Sequence, residues 1–60
     1  MYAESEFILS DERPASVSAG RNSTTILVGQ HGAVSGLYLD NVDALRIANE
    51  IINKIREISE

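Results

Sequence analysis

The chain has no cysteine, no tryptophan, one histidine, one proline and only three aromatic rings in 60 residues. Without cysteine, disulfide staples and thiolate zinc sites are excluded. His31 alone cannot anchor a zinc ion unless several carboxylates converge on it, so no metal site and no cofactor are expected. Positive charge is also scarce: five Lys and Arg stand against nine Asp and Glu, a net charge of −4. A phosphate backbone is gripped by clustered Lys and Arg that displace counterions, so a nucleic-acid-binding dimer is disfavoured. The same shortage disfavours docking on an anionic membrane. Tyr2, Phe7 and Tyr38 do not interleave with basic residues, as a platform for stacked bases would require. No apolar run approaches the roughly 20 residues of a membrane span. Met1 to Leu9 lacks the cationic start and apolar stretch of a secretory signal, and the chain is expected in the cytoplasm.

What the chain does have is apolar surface at helical spacing. From Leu39 to Glu60 the sequence predicts one amphipathic helix. At 100° per residue, Ile47, Ile58, Ile51, Ala44, Ile55, Ala48, Ile52 and Leu45 fall within an arc of about 160°. Asp43, Arg46, Asn49, Glu50, Asn53, Lys54, Arg56, Glu57 and Glu60 fill the opposite side. Asp40 is a good N-cap, and Asp43 three residues on completes an arrangement like a capping box. Glu50–Lys54 and Arg46–Glu50 are spaced for i,i+4 ion pairs.

Four shorter segments precede the helix. Glu6 to Ser10 contains Phe7, Ile8 and Leu9, then breaks at Asp11-Glu12-Arg13-Pro14, where proline forces a turn. Ala15 to Ala19 alternates small apolar residues with serine, the period of a half-buried strand. Gly20-Arg21-Asn22-Ser23 has turn chemistry. Thr24 to Gly29 is rich in β-branched residues and predicts a strand. Gln30 and His31, between Gly29 and Gly32, predict a tight hairpin. Ala33 to Leu39 follows, with Leu37 and Leu39 on one face and Val34, Gly36 and Tyr38 on the other. Gly36 in a strand interior predicts a bulge or a close backbone approach. Every connection is too short for a crossover helix, so the strands form an antiparallel meander.

The expected fold class is therefore α+β: a single domain over residues 1–60, with a small antiparallel β-meander of three or four strands followed by one C-terminal amphipathic helix packed on the sheet. Residues 1–5 are allowed as a disordered lead. Sixty residues bury only about 60% of the surface of the unfolded chain, and small folds without staples commonly rely on a partner subunit. A homodimer is expected, with an interface drawn from Ile47, Ile51, Ile55 and Ile58 or from the strand face bearing Ile26 and Val28.

Catalytic signals are weak, and no catalytic residue is assigned. His31 could serve as a base or ligand contact at a hairpin tip, but a solvated turn residue is the preferred reading, since no orienting carboxylate or nucleophile can be placed beside it. Gly29-Gln30-His31-Gly32 lacks the pattern of a phosphate-binding loop and no helix follows it. Arg21 with the backbone of its turn could grip an anion. Glu4, Glu6, Asp11 and Glu12 form a candidate acidic docking strip, without the oxygen-ligand spacing of a calcium loop.

No motif names a family. A short meander feeding a capped helix resembles, in arrangement only, tiny bacterial and phage accessory proteins. The expected function is non-enzymatic: an acidic homodimeric inhibitor that occludes a surface of a larger basic host protein. The alternative is a small-ligand-binding oligomer with a pocket near the hairpin loops, at Gln30, His31 or Arg21.

Overall fold

The computed structural model describes residues 1–30 and 32–59; His31 and Glu60, and with His31 its candidate role, lie outside the described residues. The strands are β1 (Ala3–Ile8), β2 (Pro14–Ala19), β3 (Ser23–Gln30) and β4 (Ala33–Asp40), followed by α1 (Asn41–Ser59). They form one antiparallel sheet in the order β1-β2-β3-β4. The chain is α+β: a four-stranded antiparallel meander with one C-terminal helix packed on it. No helix of the described residues is long and apolar enough to cross a membrane.

The first strand extends further towards the N-terminus than its apolar residues suggest. Ala3 pairs with Ala19 and Glu4 with Ser18, so residues 3–5 belong to the sheet and are not a disordered lead. Leu9 and Ser10, expected in the strand, instead open the turn. There the Leu9 N–H donates to the Arg13 carbonyl at 2.8 Å, and the Glu12 N–H to the Leu9 carbonyl at 2.9 Å. Glu12 takes a left-handed φ of 71°, a conformation costing a side-chain-bearing residue about 1–2 kcal/mol. Between β3 and β4, Gln30 pairs with Ala33, which places it in the strand and not in the turn. Gly32 has φ +70°, which glycine adopts at no steric cost.

Register decides which side chains share a face, because directly opposed residues point the same way. The row Ser5–Val17–Ile26–Leu37 and the row Phe7–Ala15–Val28–Ser35 lie on one face. The row Glu4–Ser18–Thr25–Tyr38 and the row Glu6–Ser16–Leu27–Gly36 lie on the other. Ile26 and Val28 are therefore on the opposite face from Ile8 and Tyr38. All the charged strand residues, Glu4, Glu6 and Asp40, are on the Tyr38 face, and the Ile26 face has none.

Two glycines permit close approach on the Tyr38 face. A Cβ on Gly29 would stand 2.7 Å from Pro14 Cγ and 2.8 Å from its Cδ, while one on Gly36 would meet Leu27 Cδ2 at 2.8 Å. The proline ring is rigid and held in β2, whereas the Leu27 tip can rotate away. Gly29→Ala is therefore expected to cost about 1–3 kcal/mol, as overpacking does, and Gly36→Ala under about 1 kcal/mol. Urea denaturation midpoints of the two variants check the order.

The helix meets the sheet at its beginning. Asn41 and Ala44 are half-buried, and every described residue from Leu45 onwards is exposed. The isoleucines were expected to lie across the sheet. Instead Ile51 is 54% exposed and Ile58 84%. The reason is the connection: β4 ends at Asp40 and α1 begins at Asn41, with no residue between them to reverse the chain. Among the described residues none is buried. The molecule is flat, with Cα extents of 36 × 31 × 15 Å.

Candidate functional site

The strand-to-helix junction is held by one side chain. The Asn41 Nδ2 group donates to the Gly20 carbonyl at 3.1 Å and the Arg21 carbonyl at 3.0 Å, while Asn41 Oδ1 accepts from Thr24 Oγ1 at 2.7 Å. The Asn41 backbone N–H donates to the Asn22 carbonyl at 2.9 Å. Both amide hydrogens and the amide oxygen are used, so the helix base is bound to the β2–β3 turn. Asp40 precedes the first helical residue, the position of an N-cap, yet the side chain that makes the hydrogen bonds at this junction is Asn41.

The meander separates the candidate ligand residues. Arg21 sits in the β2–β3 turn beside Asn41, and Gln30 at the far end of β3. A strand of eight residues is about 27 Å long, so Arg21 and Gln30 cannot line one small pocket within a copy. The β1–β2 turn, with Asp11 and Glu12, lies instead at the Gln30 end, because Pro14 and Ala15 stand beside Gly29 and Val28.

At that end, on the Tyr38 face, lies an open groove of about 470 Å³ whose floor is formed by Ile8, Pro14, Leu27, Gly29 and Val34, with Glu6 and Ser16 at its polar margin. Phe7 and Ala15, which the register places on the opposite face, also border it. Glu4 lies two residues along β1 from Glu6, on the same face. Tyr38 stands on this face too and is 74% exposed. The sequence pattern had not joined these residues, since they come from four strands and meet only through the register.

Of the four acidic candidates, Asp11 is already engaged. Its Oδ1 accepts from the Arg13 N–H at 3.3 Å and its Oδ2 from Arg13 Nε at 2.7 Å. The Arg13 backbone N–H, followed by its guanidinium, holds the Asp11 carboxyl below its usual range. Glu4, Glu6 and Glu12 form no side-chain ion pair among the described residues. On the helix, Lys54 Nζ pairs with Glu57 Oε2 at 3.0 Å, in place of the expected Glu50. Both partners are well exposed, so the exchange of partner carries little energy.

The second apolar surface is on α1. Ile47, Ile51 and Ile55 line a shallow strip edged by Arg46, Glu50 and Lys54. Among the described residues no three His, Cys, Asp or Glu side chains are grouped to hold a metal ion.

No protein-family model, curated protein or solved structure matches this chain.

Proposed function

We propose that this chain is a non-enzymatic protein-binding module that acts as a homodimer and occludes a surface of a larger, basic protein, as small inhibitor proteins of phage-accessory type do. The observation that carries this reading is the segregation of charge: all charged strand residues share the Tyr38 face with the open groove, and the opposite face is uncharged. A dimer built through the uncharged face leaves the acidic one turned outwards. There, Glu4 and Glu6 would steer a basic partner, and the groove and Tyr38 would receive its apolar side chains. The net charge of −4 favours the same kind of partner.

The experiment is a salt series of association rates against the partner that co-purifies from a lysate. Screening shortens electrostatic reach to about 8 Å at 0.15 M salt, so association is expected to slow steadily as salt rises. Glu4→Lys with Glu6→Lys is expected to slow it on the order of tenfold, with an unchanged circular dichroism spectrum. A flat salt series with unchanged rates for the charge-reversed variant would overturn the reading.

The groove also favours a second reading, a small ligand with an apolar body and a cationic group facing Glu6, since 470 Å³ lies in the range of ligand sites. A small molecule retained through purification and seen by native mass spectrometry would support it over the first.

A further inference from the structure

We propose that two copies of this chain exchange helices, so that the Ile47/Ile51/Ile55 side of each α1 lies across the uncharged Ile26 face of the other copy's sheet. The inference rests on the homodimer reading above and specifies its geometry.

Area is the first argument. The chain exposes 5161 Å², whereas a compact monomer of 6.5 kDa exposes about 3800 Å². The excess of about 1350 Å² per copy, or about 2700 Å² for a pair, falls in the range of obligate homodimers and above a standard interface of about 1600 Å². The radius of gyration points the same way: it is 13.0 Å, where a compact chain of this length has about 10 Å.

Geometry then selects the occupant. The helix meets its own sheet only near its base and covers little of it, because β4 passes into α1 without a linking residue and Asn41 binds the helix base to Gly20, Arg21 and Asn22. Connections that return a helix onto its own sheet usually need about 2–6 residues. A helix of 19 residues is about 28 Å long, enough to run the length of an eight-residue strand in a second copy. Helix-to-helix pairing alone would leave both sheet faces wet, whereas a sheet must bury its apolar face against another element. Pairing of the two β4 edges alone would cover neither apolar surface. Reciprocal exchange covers both in one two-fold contact and leaves Glu4, Glu6 and Tyr38 outside.

The test is isotope-filtered NMR on an equimolar mixture of ¹³C-labelled and unlabelled protein, with sedimentation equilibrium on the same sample. The expected result is a species of about 13 kDa, twice the 6.5 kDa chain, with methyl contacts between copies from Ile51 or Ile55 to Val17, Ile26 or Leu37. A dimer whose inter-copy contacts run only from helix to helix, or only between β4 strands, would overturn helix exchange and leave the homodimer standing. A folded 6.5 kDa monomer would overturn both.

Discussion

Ile51→Asp is expected to leave the chain unfolded and monomeric at low micromolar concentration. In a single copy Ile51 is 54% exposed, and a carboxylate there would cost well under about 1 kcal/mol, as surface substitutions do. Covered by a second sheet, the same carboxylate would be an unpaired buried charge, costing several kcal/mol out of a total stability of only about 5–15 kcal/mol. The two cases differ enough for one circular dichroism melt to separate them. Asn53→Asp, on the polar side of the helix, is the control and should melt with the wild type. If folding and association are one step, as the proposed dimer requires, the wild type itself should melt higher as it is concentrated. With an unfolding entropy of about 2.1 cal/mol/K per residue, a tenfold rise in concentration should raise Tm by about 5 °C. An Ile51→Asp variant with a wild-type melt would show that the helix face works in water, uncovered.

Asn41→Ala is expected to cost about 2–3 kcal/mol. Three side-chain hydrogen bonds are lost, to Gly20, Arg21 and Thr24, each with a net worth of about 1 kcal/mol. Asn41→Asp separates the two roles this residue could have. As a helix cap, aspartate equals asparagine, and the variant would be neutral. As the tether described above, aspartate removes both donors and sets a carboxylate against two carbonyl oxygens, so it should cost at least as much as alanine. Chemical denaturation of both variants decides the matter, and a neutral Asn41→Asp would reduce Asn41 to a cap.

The candidate site was legible only in part. Glu4 and Glu6 stand out in the sequence as acidic residues beside the first apolar run, but their neighbours do not. Ile8, Leu27 and Val34 are separated by up to 26 positions and meet because the antiparallel register sets Ile8 beside Pro14 and Val34 beside Gly29, with the Pro14 ring close against Gly29. Gly36 was marked by its position as a place of close approach, and Leu27 occupies the space its missing side chain leaves. Gln30 and Arg21 both looked like ligand residues for the same reason, proximity to a glycine turn, and the meander places those turns at opposite ends.

The sequence by itself determined the elements and their order. Period-two patterning from Ala15 to Leu39 and period-3.6 patterning from Asp40 onwards are properties of neighbouring residues, and the short turns admit only an antiparallel meander. The lack of cysteine, the small size and the wide isoleucine arc were likewise enough to expect association. Only the tertiary structure decided which charges share a face, since a register slip of one residue would move Glu4 and Glu6 to the other side. It also decided that the helix leaves its own sheet largely uncovered. That outcome depends on Asn41 reaching residues some 20 positions away and on a junction without a linker, and neither leaves a periodic trace in the chain.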